Sequence, residues 1–326
     1  MQEKQPKISV IIPSLNVKDY IKQCVDSVIN QTLRDIEILC VDAGSDDGTL
    51  EILKEYAEEE PHLNVFLSNR KSYGSQVNQG LTIATGEYIS IVESDDYIKE
   101  DMLESLYKLT QYGYMDIVKG TFYHMYLSED ENRIEIDTAK RNIPANRVFK
   151  VEDQPLFLDG HPSIWSAIYK RSFLINNNIH FLEEDGGAWV DNPFFYETAL
   201  KADSILYTNT PYYYYRETNQ NSSSNDLQDL SIPSKRINDL FGVLDECGCD
   251  NPEIMKVLYK RLLRYVEITM ENNKNSSNGL NYETCSLLNQ ALSRMDEEYV
   301  HEMSNKHKQY YYKFRSPLIL SQFEDE

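Results

Sequence analysis

Three carboxylates lie within four residues at the end of an apolar run, in the stretch S-I-V-E-S-D-D-Y-I from Ser90 to Ile98. Glu93, Asp95 and Asp96 repel one another at this spacing, and removing them from water is costly unless a positive charge lies among them. Their oxygen atoms suit a hard divalent cation such as Mn²⁺ or Mg²⁺. The other interpretation is a solvated turn that caps the following helix. The stretch alone leaves both interpretations open.

The composition narrows the classes of partner. The chain has 326 residues and a formal net charge of -21, with 53 acidic and 32 basic residues. This balance argues against a nucleic acid partner, because phosphate backbones are bound by clustered lysine and arginine. No apolar run approaches the ~18 residues of a membrane-spanning helix, and the first residues carry no signal-peptide core. Together with five scattered cysteines, these features favour a cytoplasmic location with reduced thiols.

Alternating strand and helix patterns must position the carboxylates. Apolar, β-branched runs predict buried strands, and segments with helical spacing separate them. Strands that are apolar on both faces predict a mainly parallel sheet covered by helices, with ligands at the carboxyl ends of the strands. Three loops meet at that edge, at residues 13–16, 42–49 and 93–96. Farther along, an Asn- and Ser-rich stretch at 217–229 predicts a linker, and the pattern after Ser231 is helical.

Residues 7–120 resemble a family 2 glycosyltransferase with the GT-A fold. The resemblance rests on three stretches in the family's order, I-S-V-I-I-P-S-L-N, V-D-A-G-S-D-D-G-T and N-Q-G-L-T-I-A-T-G-E-Y-I-S-I-V-E-S-D-D-Y. It continues more weakly to about Arg216 and is not firm for 231–326. It implies an α/β fold of the GT-A type, which is a Rossmann-like, mainly parallel sheet sandwiched by helices. A helical C-terminal region would follow.

The resemblance also implies an organisation and an activity. Residues 1–220 would form the GT-A catalytic domain, with a nucleotide-binding half at 1–120 and an acceptor-side half at 121–220. Residues 221–326 would form the linker and the helical region. The implied activity is inverting transfer of a sugar from a nucleotide-diphosphate sugar, expected to be a UDP-sugar, to a saccharide or lipid-linked acceptor in cell-surface polysaccharide synthesis. Peripheral contact with the cell membrane and a homo-oligomer formed through the C-terminal helices are further expectations.

Candidate donor-binding residues follow from the matched stretches. The resemblance implies contacts with the nucleotide sugar from Pro13, Ser14, Asn16, Asp42, Gly44, Ser72, Tyr73, Asn78, Glu93, Ser94 and Arg216. Two positions depart from the family's pattern. Ala43 replaces an aspartate and weakens the case for a uracil contact, and Glu93 replaces the first aspartate of the D-x-D motif. For Asn78, a capping or packing role is an equal alternative.

The implied cofactor is a divalent metal, Mn²⁺ or Mg²⁺. By resemblance Asp95 is the direct ligand, and Asp96 is either a second ligand or the cap of the following helix. Such a metal offsets the charge of the donor's diphosphate and stabilises the leaving nucleoside diphosphate. An acidic chain needs such a counter-charge at a diphosphate site.

By resemblance Asp191 is the expected catalytic base. Inverting transfer needs a carboxylate that takes the proton of the acceptor hydroxyl while its oxygen attacks the anomeric carbon. In W-V-D-N-P-F-F, Val190 stands where the family usually has an acidic residue, which leaves Asp191 as the carboxylate of that motif. The alternative is that Asp191 or Asn192 caps the helix that contains Pro193 in its first turn. Other nearby candidates for the base are Glu183, Glu184 and Asp185.

Aromatic residues are expected on the acceptor side, because sugars stack on aromatic faces. The candidates are His161, Trp165 and Trp189, with packing in the core as the alternative for the tryptophans. A protein of a different class fits the same motifs, namely a non-catalytic family member that binds or scaffolds. The departures at Ala43, Glu93 and Val190 favour this second hypothesis.

Overall fold

The computed structural model describes residues 5–127, 132–217, 229–274, 280–321 and 323. Residues 218–228, which make up most of the predicted linker, lie outside this description. The strands within the described residues are β1 (Ile8–Ser14), β2 (Ile36–Asp42), β3 (Leu63–Leu67), β4 (Tyr88–Ile91), β5 (Tyr97–Ile98), β6 (Ile117–Leu127), β7 (Asn132–Ile136), β8 (Val148–Phe149), β9 (Ala167–Lys170) and β10 (Ile205–Arg216). They form one sheet in the order β3-β2-β1-β4-β9-β6-β10-β5, with β7 paired to β6 and β8 to β10.

The first half of the sheet is parallel, as the apolar runs predict. β1 pairs in parallel with β2 and β4, and β2 pairs in parallel with β3. Every residue of β1 is buried, which is typical of a strand that helices cover on both faces. The register places Ser14 opposite Asp42, so the loops after β1 and β2 begin side by side.

The second half of the sheet is mixed. β9 runs antiparallel between β4 and β6, and β10 is parallel to β6. The short strand β5 follows the acidic cluster directly and pairs antiparallel with β10, with Ile98 opposite Tyr213. β10 therefore brings the tyrosine run of residues 212–215 next to the three carboxylates.

Helices cover the sheet because each has an apolar stripe. In the first helix Ile21, Cys24, Val25 and Val28 are buried, and their spacing follows the helical period. The helices that precede the predicted linker are α1 (Lys18–Ile29), α2 (Thr49–Glu59), α3 (Tyr73–Ile83), α4 (Met102–Leu109), α5 (Arg171–Asn176) and α6 (Asp191–Lys201). The α/β architecture predicted from the sequence is confirmed.

The C-terminal region is helical, as predicted. Its helices are α7 (Ile232–Cys247), α8 (Pro252–Asn273), α9 (Tyr282–Ser293), α10 (Glu297–Val300), α11 (Asn305–Arg315) and α12 (Leu318–Ser321). α7 packs on α6, and the side chain of Asn251 caps α8, whose first residue is Pro252. None of the described helices combines the length and the apolar character needed to cross a membrane.

Candidate active site

A cleft of about 630 Å³ lies at the carboxyl ends of β1 and β4. The predicted residues that line it are Pro13, Ser14, Asn16, Tyr73, Glu93, Ser94, Asp95, Asp96, His161, Trp165, Trp189 and Asp191. The predicted residues that do not line it are Asp42, Gly44, Ser72, Asn78 and Arg216. Segments far apart in the chain therefore meet in one cleft, although several polar residues of the motifs support it from behind.

Asp42 organises the loop after β2 and is fully buried. Its Oδ1 accepts hydrogen bonds from the N–H groups of Gly44 (2.9 Å) and Ser45 (2.7 Å). Its Oδ2 accepts hydrogen bonds from the hydroxyls of Ser14 (2.8 Å) and Ser45 (2.7 Å). Because both oxygens are engaged inside the fold and Asp42 does not line the cleft, its observed role is to hold this loop, and the nucleotide contact stays a prediction. Gly44, with φ of +83°, supplies the turn and also lies away from the cleft.

The three carboxylates of the acidic cluster have three different environments. The Tyr73 hydroxyl donates to Glu93 Oε1 at 2.6 Å. Burial, with the neighbouring charge of Asp95, raises the pKa of Glu93 to about 8 against the lowering effect of that hydrogen bond. Asp96 is 1% exposed, and its two oxygens accept hydrogen bonds from the Tyr213 hydroxyl and from a backbone N–H of β10. Asp95 is partly exposed and lines the cleft.

β10 holds this turn in place through Arg216. Its N–H donates to Asp96 Oδ1 at 2.8 Å, and its Nε donates to the carbonyl of Asp95 at 2.6 Å. The guanidinium also donates to the side chain of Gln23. Arg216 was predicted to contact the donor, but in the structure it supports the backbone of the acidic turn and does not line the cleft.

Asp95, which is partly exposed in the cleft, fits a metal that is shared with a bound nucleotide better than Asp96, which is 1% exposed. Both oxygens of Asp96 already accept hydrogen bonds, and it does not cap α4, whose N-cap is Asp101. Among the described residues, no three His, Cys, Asp or Glu side chains are grouped to hold a metal ion by themselves. Mg²⁺ needs only one or two carboxylates where phosphate oxygens complete its shell. The repulsion between Glu93 and Asp95 is what a cation would relieve.

Backbone hydrogen bonds connect the start of α3 to the segment that leads to Asp191. The N–H of Tyr73 donates to the carbonyl of Gly186 at 2.8 Å, and the N–H of Gly186 donates to the carbonyl of Lys71 at 2.9 Å. Between them, the Ser72 side chain accepts a hydrogen bond from the N–H of Ser75 and caps α3. Ser72 is therefore a helix cap in this structure, and its contact with the donor stays a prediction.

Asn78 strengthens the same connection. Its Nδ2 donates to the carbonyl of Phe181, and its Oδ1 accepts from the N–H of Phe181, both at 2.9 Å. A Cβ at Gly74 would lie 1.9 Å from the carbonyl oxygen of Leu182, so only glycine allows this close approach. The packing alternative for Asn78 is the one observed.

Asp191 lines the cleft as the first residue of α6. The N-cap of that helix is Val190, and no side chain caps it, so the alternative role of Asp191 or Asn192 as the cap is not observed. Burial raises the pKa of Asp191 to about 6, and the positive charges of Arg261 and Arg236 limit the rise. Such a carboxylate is ionised at neutral pH and is a stronger base than an exposed aspartate.

The other acidic residues near Asp191 are engaged in ion pairs. Glu184 pairs with the buried Arg236. Glu183 and Asp185 lie 3.6 Å and 3.4 Å from the guanidinium of Arg70. None of the three lines the cleft, which leaves Asp191 as the carboxylate of this segment that can reach a ligand.

The aromatic residues His161, Trp165 and Trp189 also line the cleft. The Trp165 ring is 3% exposed and stacks on Tyr213 with 4.1 Å between ring centroids, so it is a core residue whose edge reaches the cleft. His161 Nδ1 accepts a hydrogen bond from the N–H of Ser163 at 2.9 Å, and burial lowers its pKa to about 3. Trp189 has φ of +60°, which is rare for an aromatic residue and marks a strained backbone at the site.

Sequence reasoning missed the contribution of the C-terminal region. Arg261, Tyr265 and Ile268 of α8 line the cleft, and Tyr265 donates to the side chain of Asn192. Their spacing of four and three residues places them on one face of the helix. That spacing is visible in the sequence, but nothing in a single sequence shows which surface the face covers.

The fold and the site define an α/β protein with acidic residues at the carboxyl edge of its parallel strands. A family model described as Glycosyl transferase family 2 matches residues 9–175. The chain belongs to this family, which confirms the resemblance described above.

Curated relatives support the same family. The chain is 31% identical over 223 residues to the uncharacterised glycosyltransferase EpsJ of Bacillus subtilis, a match that covers 67% of this chain and 62% of EpsJ. It is 29% identical over 279 residues to the glycosyltransferase GlyG of Streptococcus pneumoniae serotype 4, covering 81% of this chain and 89% of GlyG. The match to EpsJ thus spans less than two thirds of that protein.

Among solved structures, the chain resembles residues 1–349 of TarS from S. aureus in complex with UDP-GlcNAc. The TM-score is 0.78 at 18% identity, and the match covers 98% of this chain and 92% of that one. Against a longer TarS chain, the match covers 53% of that chain. The likeness confirms the predicted GT-A fold, including the helical C-terminal region.

Proposed function

We propose that the chain is an inverting glycosyltransferase that takes a sugar from a UDP-sugar, with a divalent metal, and transfers it to a saccharide or lipid-linked acceptor. The observation that carries the proposal is the presence of Asp191, with its raised pKa, in the same cleft as Asp95. Residues 1–220 would form the catalytic domain, with α8 of the 221–326 region closing the acceptor side. The cytoplasmic location, membrane contact and homo-oligomer stay predictions from the sequence.

The chain's own residues support each part of the reaction. The loop of Pro13, Ser14 and Asn16 would hold the nucleoside, and Lys71 is an exposed cation at the same edge of the cleft. The Asp191 carboxylate would accept the proton of the acceptor hydroxyl. The hydroxyl oxygen would bond to the anomeric carbon as the bond to the diphosphate breaks, and UDP would leave with the electron pair. A metal bound by Asp95 and the phosphates would neutralise charge on the leaving group.

The direct test is release of UDP from a panel of UDP-sugars with Mg²⁺, using water in place of the unidentified acceptor. We expect Asp191→Asn to lower turnover by about 10²–10⁴-fold, the usual contribution of a general base, while UDP affinity is retained. The matched control is Asp185→Asn, which removes a carboxylate six residues away that is 94% exposed. This control should keep wild-type turnover.

The same measurement distinguishes the enzyme from the second hypothesis, a non-catalytic binding protein. A non-catalytic family member would bind UDP without releasing it from any UDP-sugar. Equal turnover in the wild type and in Asp191→Asn would contradict the role of Asp191, and a larger loss in Asp185→Asn would move the base to the neighbouring loop.

A further inference from the structure

One face of α8 lies directly beside the segment that carries the proposed base. Arg261, Tyr265 and Ile268 project from this face into the cleft. The Tyr265 hydroxyl donates to Asn192, the residue after Asp191. A group bound by this face would therefore lie next to the hydroxyl that Asp191 deprotonates.

Arg261 differs from its basic neighbours on α8 in lacking a carboxylate partner. The ammonium group of Lys260 lies 3.1 Å from Asp159, and Arg264 pairs with Glu267. Among the described residues, no carboxylate oxygen lies within 4.0 Å of the Arg261 guanidinium. Its Nε is buried and has no hydrogen-bond partner there either. Its charge is partly compensated by the Asp191 carboxylate and by the side chains of Tyr196 and Tyr265, and the Tyr265 ring centroid lies 5.2 Å from the guanidinium. A bound anion would complete this compensation, because water reaches the guanidinium only partly.

Two buried lysines lie near this wall, and burial lowers the pKa of both side chains, to about 8 for Lys140 and well below the usual range for Lys119. The Lys119 ammonium donates to the carbonyls of Pro162 and Ser163, and the Lys140 ammonium donates to the carbonyl of Phe157 at 2.9 Å. Neither makes an ion pair with a described carboxylate, and their amino groups are held by backbone carbonyls and, for Lys119, by the Ser166 hydroxyl. These two lysines and Arg261 are among the groups that lower the pKa of His161.

Arg261 is a cation in the cleft of a chain whose net charge is -21. Glu93, Asp95 and Asp96 lie at the acidic turn, whereas Arg261 lies on the acceptor side, close enough to Asp191 to influence its pKa. A cation that is only partly in contact with water attracts an anion from solution. The proposed metal at Asp95 would supply the counter-charge of the donor's diphosphate, which leaves Arg261 for a second anion.

We propose that the acceptor carries an anionic group, a phosphate or a carboxylate, and that Arg261 binds this group beside the hydroxyl that receives the sugar. A guanidinium suits either group because its planar donors pair with two oxygens at once. Tyr265 orients Asn192 and the start of α6 against the same wall. The inference rests on the proposed function, whose acceptor it describes more closely.

The test uses the chain's own fluorescence. Its two tryptophans are Trp165 and Trp189, and both line the cleft. The Trp189 ring lies 5.1 Å from that of Tyr265. The wild-type protein is first saturated with UDP and Mg²⁺, so that the donor site is filled. Inorganic phosphate is then titrated at constant ionic strength, followed by acetate in a separate series.

We expect a saturable fluorescence change with phosphate, with acetate or with both. Arg261→Gln should weaken that affinity at least about tenfold, and Arg261→Lys should weaken it less, because the charge remains. The matched control is Arg264→Gln, three residues along α8, which removes an arginine that is already paired with Glu267 and should leave the affinity unchanged.

The outcomes separate the inference from the proposed function. Failure of the wild type to bind UDP contradicts the proposed function before any anion is added. Binding of UDP without a saturable response to phosphate or acetate overturns the inference, even if no variant folds. An equal loss in Arg261→Gln and Arg264→Gln also overturns it, as does a loss of UDP affinity in Arg261→Gln, which would place this arginine in the donor site.

Discussion

The donor and acceptor sides of the cleft are built in opposite ways. The donor side comes from contiguous motifs of the first hundred residues, and its conspicuous polar groups, such as Asp42 and Asp96, mostly bond to the protein itself. The acceptor side comes from three distant segments, and it leaves Asp191 and Arg261 facing the cleft. Several motif residues therefore shape the donor side from behind the cleft, whereas the two groups to which we assign chemistry on the acceptor side come from scattered positions.

The largest expected effect tests the donor side and compares two neighbouring aspartates, Asp95 and Asp96. Asp95→Ala should lower the Mg²⁺-dependent affinity for UDP at least about 100-fold, because it removes the proposed metal ligand. Asp96→Ala should instead destabilise the fold by about 2–4 kcal/mol, because it leaves the Tyr213 hydroxyl and the Arg216 N–H unsatisfied. Calorimetric titration of UDP and unfolding in urea measure the two effects.

The opposite outcome would give Asp96 the same role as Asp95. If Asp96→Ala lost metal-dependent binding with its unfolding curve unchanged, Asp96 would be a ligand and the hydrogen bonds from β10 would be incidental.

A second test sharpens the structural role of the loop after β2. Asp42→Ala should lower the free energy of unfolding by about 2–3 kcal/mol, because a buried carboxylate that accepts four hydrogen bonds is lost. Asp46→Ala, at an exposed position of the same loop, is the control and should change stability by less than about 0.5 kcal/mol. Loss of UDP affinity at unchanged stability in Asp42→Ala would restore the predicted nucleotide contact.

The smallest effect is expected from pH on the acceptor side. Asp191 can take a proton only when it is ionised, and burial raises its pKa to about 6. Turnover should therefore be constant above that pH and fall about tenfold per pH unit below it. The residual turnover of Asp191→Asn should lack this acidic limb. A limb that persists in the variant would assign the titration to another group.

The sequence was sufficient to predict the sheet, its parallel half and the helical C-terminal region, because apolar periodicity reports burial directly. Through the family resemblance it also pointed to Asp95 and Asp191, which both line the cleft, and their roles as metal ligand and base stay predictions. It did not separate Asp95 from Asp96, because only the position of β10 decides which of them receives the hydrogen bonds of Tyr213 and Arg216.

The sequence also did not predict the contribution of α8 to the cleft, and here the reason is different. Arg261 and Tyr265 flank an apolar stripe like those of many amphipathic helices, and their role depends on a tertiary contact across a segment of more than 60 residues. The same limit applies to Ser72 and Asn78. Their residue types suit a ligand contact and a helix cap or packing contact equally, and only the packing of 181–186 on α3 distinguishes the two.

The most direct test is a crystal structure of the protein with UDP and Mg²⁺. We expect the uridine against the loop of Pro13 to Asn16, the diphosphate with its metal at Asp95, and Asp191 facing the vacant sugar position on the far side of the cleft. A nucleotide bound elsewhere, or a diphosphate held by Arg261 with no metal at Asp95, would contradict the division of the cleft into a donor and an acceptor side.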